Sequence, residues 1–71
     1  MTNTKMLKGK LVEKGVSVQA LADFLGVSKR TVYSKLSNGD TITISEANKI
    51  VEYLNLKEDE AVSIFFSSTV A

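Results

Sequence analysis

Apolar residues in this chain recur at helical spacing, and short polar or glycine-bearing breaks separate the runs. Met6, Leu7, Leu11 and Val12 suit one side of a helix predicted over residues 5–14, with Thr4 or Asn3 as its cap. Gly15 follows Lys14 where a left-handed residue is expected to end that helix. Gly9 inside it costs about 1 kcal/mol relative to alanine, and a close helix contact is its expected reason. Ser17 caps a second helix over 18–25, where Val18, Leu21, Ala22 and Leu25 share a face before Gly26. Ser28 caps a third, running to about Leu36 or Ser37, with Val32 and Leu36 inward and Asn38-Gly39 as its stop.

The sequence Thr-Ile-Ser-Glu at 43–46 reads as a capping box opening a fourth helix. That helix carries Ala47, Ile50, Val51 and Leu54, and Asn55 closes it. A fifth begins near Glu58, its acidic first turn matching the positive end of the helix dipole, and continues through Ala61, Val62, Ile64 and Phe65. Asn38-Gly39 also suits a tight hairpin turn, and residues 41–44 alternate polar and apolar. The apolar spacing before the turn is four rather than two, so the helix stands and an extended loop is expected at 40–43. The predicted fold class is all-α, four to five short helices in one domain over 1–71. Its core spans about 5–66, followed by an extended or disordered tail at 67–71.

Composition narrows the chemistry. The 71 residues contain no cysteine and no histidine. Disulfides, thiolate metal sites, zinc chemistry and a histidine general base are therefore excluded. No glycine-rich phosphate loop is present, and the carboxylates at 58–60 read as a helix start. No enzyme activity, metal or cofactor is expected. No apolar run approaches the roughly 20 residues of a membrane span, and no signal peptide opens the chain. A cytoplasmic setting follows as the expectation.

The net charge of +1 conceals an asymmetry. Residues 1–35 carry seven basic against two acidic side chains, net +5, whereas residues 36–71 carry two against six, net −4. Such a chain can present one face to a polyanion.

The basic half also contains a constellation with a geometric meaning. Helices 18–25 and 28–37 are joined by Gly26-Val27-Ser28, a turn short enough for a helix-turn-helix. Ala22 is small where the third helix crosses, and Gly26 supplies the positive φ that reverses the chain. Val27 and Val32 fill the wedge, and Leu21, Leu25 and Leu36 anchor the pair to the core.

Residues 18–39 resemble the helix-turn-helix of the phage repressor and Cro superfamily, whose members fold as four or five helices. The segments LKGKLVEKG at 7–15, LGVSKRTVYSKLSN at 25–38 and IFF at 64–66 resemble small phage-encoded Cro-like transcriptional regulators. Three positions depart from that pattern. Many relatives place glutamine first in the second helix, where this chain has Val18 and then Gln19; Lys35 stands at an often apolar place; and Phe24 is unusually bulky.

The resemblance implies a sequence-specific, double-stranded DNA-binding regulator in a bacterial host cell, reading the major groove with helix 28–37. Lys29, Arg30, Tyr33 and Ser34 are the expected base readers, since Lys and Arg reach guanine O6 and N7. Ser17, Gln19, Ser28, Thr31, Ser37 and Asn38 are the expected phosphate contacts. Lys5, Lys8 and Lys10 offer further backbone contacts from the first helix. A second reading is an antirepressor that binds the phage repressor protein. The C-terminal segment carries more apolar residues than one helix face needs, and Phe65 and Phe66 cannot both point into one core. Two alternatives follow: one phenylalanine packs beneath the tail, or Ile64, Phe65 and Phe66 serve a partner, either a second copy forming a homodimer or a repressor.

Overall fold

The computed structural model describes residues 2–66, and no strand occurs among them. The order is α1 (Thr4–Glu13), α2 (Val18–Leu25), α3 (Lys29–Ser37), a 3-10 turn (Gly39–Thr41), α4 (Ile44–Leu54) and α5 (Glu58–Ala61). The last of these runs on into a π-helical turn (Val62–Phe66). The protein is thus an all-α, five-helix bundle. The expected tail at 67–71 lies outside the described residues.

Four of the five helices begin on a polar side chain that accepts an otherwise orphaned amide. Asn3 takes the Met6 N–H, Ser17 that of Ala20, Ser28 that of Thr31 and Thr43 that of Glu46, at 3.0–3.2 Å. Each such cap contributes about 1 kcal/mol. Glu46 completes the capping box by accepting the Thr43 N–H at 2.9 Å. The C-terminal ends use left-handed residues: Gly15 at φ 68°, Gly26 at φ 72° and Asn55 at φ 52°. Asparagine is among the few residues besides glycine that tolerate this region.

The core draws on every helix. Leu7 and Leu11 of α1 meet Leu21 and Ala22 of α2, Val32 and Leu36 of α3, and Ala47, Ile50 and Leu54 of α4, with Leu56, Ile64 and Phe65 closing the cluster. Met6 and Val12 do not join it. In α1 only the i, i+4 pair Leu7 and Leu11 is buried, and Val12 is 82% exposed.

Two glycines act otherwise than their positions suggest. Gly9 has open space around it, so no close helix contact explains it. Gly39 does not adopt a left-handed conformation. Asn38 is extended and starts the 3-10 turn, its Oδ1 accepting the Asp40 N–H at 3.2 Å. A Cβ at Gly39 would instead lie 2.8 Å from the Thr2 carbonyl oxygen. Glycine is required there because the N-terminal segment passes directly over it.

The same segment is tied to the chain's other end, where the Asn3 N–H donates to the Ile64 carbonyl at 2.6 Å. At 62–66 the helix widens from α to π. Ile64 and Phe65 within this turn are both buried. The two phenylalanines, expected not to share one core, are divided, with Phe65 buried and Phe66 at the surface.

Candidate nucleic-acid interface

The turn between α2 and α3 is built by backbone chemistry before any side chain reads anything. Gly26 in its left-handed conformation donates back to the Ala22 and Asp23 carbonyls, and the Val27 N–H bonds the Ala22 carbonyl at 3.1 Å. The helix-stopping pattern leaves Val27 half-buried against the core and Ser28 positioned to cap α3. Ala22, fully buried, lets α3 pack close, and Leu25 lines the same side.

With Val32 and Leu36 buried, the opposite side of α3 faces solvent. Lys29, Arg30, Tyr33, Ser34 and Ser37 are all exposed, Tyr33 by 52%. Neither Lys29 nor Arg30 belongs to an ion pair among the described residues. The four residues expected to read bases thus stand together on one helical face with their donors unspent.

The expected phosphate contacts are less uniform. Ser17 and Ser28 each cap a helix through the oxygen, which leaves the hydroxyl hydrogen to donate. Ser28 and Thr31 share one hydrogen bond at 2.9 Å, so only one of the two hydroxyls donates outward at a time. The Gln19 side-chain amide donates to Asp23 at 2.9 Å, beside a carboxylate that repels phosphate. Asn38, exposed, spends its side-chain oxygen on the 3-10 turn.

The lysines of α1 separate into two kinds. Lys10 bonds Glu60 of α5 and Glu13 and is largely covered by them. The Glu60 carboxylate, then Glu13, raises Lys10 above the ordinary lysine value, and Lys10 in turn, with the Lys57 N–H, holds Glu60 below the ordinary glutamate value. Lys10 is therefore a brace between helices rather than a backbone contact. Lys5 and Lys8 are exposed and unpaired. Lys8 borders a cleft that it shares with Ser17, Tyr33 and Ser37, so α1, the start of α2 and α3 meet on one side.

Lys35, at an often apolar place and outside the expected readers, faces away from them. Its Nζ donates to the Thr41 carbonyl and to Glu46 Oε1, both at 3.0 Å. Burial pushes the Glu46 carboxyl up, but the Thr43 N–H and the Lys35 ammonium outweigh it and hold the group below the ordinary value. The brace fixes the end of α3 to the start of α4. Its only sequence signal was a lysine at an apolar place, paired with a capping-box glutamate 11 residues on.

Of the C-terminal trio expected to meet a partner, Ile64 and Phe65 are sealed in the core, and Phe66 alone reaches the surface, 41% exposed. Ile44, not singled out from sequence, is 73% exposed and borders the same shallow cleft as Phe66. A further aromatic contact joins α2 to α4: Phe24 stacks on Tyr53 with centroids 4.3 Å apart. The bulk of Phe24 is used there.

Among the described residues no cluster of acidic side chains has the makings of a metal site, and no helix is long and apolar enough to cross a membrane. No curated protein and no solved structure gives a significant match to the chain. A family profile described as Helix-turn-helix does match, over residues 7–60, from within α1 into α5. The turn at 26–28, the buried positions flanking it and the exposed face of α3 all lie inside that range. The chain therefore belongs to this helix-turn-helix family of DNA-binding regulators.

Proposed function

We propose that this single domain is a sequence-specific, double-stranded DNA-binding transcriptional regulator of the phage Cro/repressor kind. Helix α3 enters the major groove, with Lys29 and Arg30 on guanine edges, Tyr33 on a thymine methyl or phosphate, and Ser34 on a neighbouring base. Ser17, Gln19, Ser28, Thr31, Ser37 and Asn38 fix the register on the backbone. The observation that carries this reading is the exposed, unpaired set Lys29, Arg30, Tyr33 and Ser34 opposite buried Val32 and Leu36.

Repeated rounds of duplex selection from a random pool, followed by footprinting of the winner, test the proposal. One protected site at moderate salt supports it, and an unenriched pool rejects it.

A protein partner is the second reading, favoured by Ile44 and Phe66 around a cleft of about 240 Å³. The occupant argued for is a second copy. Gly39 and Asp40, which follow α3 directly, line this cleft, so a two-fold there sets the reading helices side by side. Two half-sites about one helical turn apart require that arrangement. Sedimentation with and without the selected duplex checks it. A chain that stays monomeric on DNA, and co-purifies with a repressor instead, shifts the assignment to a modulator of repression.

A further inference from the structure

We propose that the cleft between α1 and α3 binds a small amphiphilic anion, an aromatic or branched apolar body carrying one carboxylate, and that this ligand and DNA exclude one another. The proposal rests on the reading of α3 as the DNA reader. The cleft holds about 370 Å³, within the roughly 300–1,000 Å³ typical of small-molecule sites. Its floor is Leu11 and Leu36, both almost fully buried, and the side chains of Val16 and Val18 form half-buried walls. Phosphate and sugar oxygens set against such a surface lose water without gaining partners. DNA therefore does not explain the apolar lining of the cleft, whereas an apolar body does.

The mouth supplies what an anionic head needs. Lys8 is the only charged residue lining the cleft, and its ammonium has no carboxylate partner among the described residues. Ser17, Ser37 and Tyr33, which carry hydroxyls, line the same cleft. A carboxylate accepts from all four kinds of donor, and the bond to the ammonium is charge-assisted. The departure noted at the start of α2, Val18 in place of glutamine, makes one wall of this cleft apolar. Mutual exclusion follows because Ser17, Tyr33 and Ser37 are also assigned to DNA.

The test is an amide-shift titration of the full ¹⁵N-labelled chain with 2-naphthoate as probe. Saturable shifts at millimolar affinity or better, centred on Val16, Val18 and Tyr33, are expected. The uncharged analogue 2-naphthalenemethanol should bind about fivefold more weakly, since it loses the charge-assisted bond. Val12→Glu places a carboxylate at the mouth on a position that is 82% exposed, so the fold is retained. It should weaken naphthoate about tenfold, close to 1.4 kcal/mol. Lys8→Gln is the second variant, expected to erase the difference between the two probes. Naphthoate should also displace a selected duplex competitively.

Non-saturating shifts, shifts centred on Phe24 and Tyr53 or on Ile44 and Phe66, equal affinity for the two probes, or a ternary complex with DNA would overturn the proposal. Saturable binding in a chain that selects no duplex supports the ligand site and rejects only the DNA reading.

Discussion

Lys29 and Arg30 differ from every other basic residue of α3 in having nothing to hold. Lys35, on the same helix, is committed to Thr41 and Glu46. Replacing Arg30 with alanine should cost about 1–3 kcal/mol of discrimination at one base position, read by competition between selected and point-mutated duplexes. The same substitution should leave the melting temperature unchanged. Two glycines make opposite expectations at this scale. Gly9→Ala should stabilise the protein by about 0.4–1 kcal/mol, because α1 has room for the methyl group and the backbone there is ordinary helix. Gly39→Ala should destabilise it by about 1–3 kcal/mol, since the methyl would press on the Thr2 backbone. Urea unfolding of both variants checks the pair. Residue roles that depend on local conformation, such as Gly26 and the caps Ser17, Ser28 and Thr43, were legible in the sequence. The role of Gly39 was not, because the atom it makes room for lies 37 positions earlier in the chain, at Thr2.

Helix ends were legible for a related reason: a cap and its amide are at most four residues apart. The boundaries of α2 were expected at 18–25 and found there. How one helix is fastened to another was hidden, because those bonds join residues distant in sequence. The Lys35–Glu46 bridge and the Lys10–Glu60 bridge are of this kind. Their pH dependence can be worked out in sign. Glu46 and Glu60 are both held below the ordinary glutamate value of about 4.5. Their stabilisation is complete above that value and is lost as pH falls through their lower folded values. Lys10 is raised above 10.5, so its share is present below that pH and fades as the solution becomes more alkaline still. Stability measured by denaturant should therefore fall on acidification below about pH 5. Glu46→Gln should flatten that limb. It should also weaken DNA binding without changing which base is preferred, because α3 keeps its readers and loses its fastening. The neighbours Phe65 and Phe66 signalled a conflict in sequence, and burial divides them, Phe65 in the core and Phe66 at the surface.

At the scale of the molecule, the charge asymmetry read along the sequence does not survive folding unchanged. Lys10 and Lys35 of the basic half are neutralised by Glu60 and Glu46 of the acidic half. In the basic half, Lys5, Lys8, Lys14, Lys29 and Arg30 remain outside any ion pair among the described residues, so few phosphates can be met there by one copy. The logarithm of the DNA-binding constant should fall with the logarithm of salt by about 0.9 per phosphate neutralised. Titration of Lys8→Gln should show whether Lys8 contributes, by reducing that slope by about 1. The overall helical plan was legible because four of its five helices announce themselves locally. The arrangement that brings Lys8 beside Tyr33 was not, since it depends on how α1 crosses α3. The contact of Asn3 with Ile64 carries one further consequence. It brings the segment before α1 against the turn that follows α5, so the first and last described segments are neighbours. A designed loop from Phe66 to Thr2, in place of the residues outside them, would remove unfolded-chain entropy. A backbone-cyclised form, or a permutant reopened in the loop between α4 and α5, should keep the same architecture.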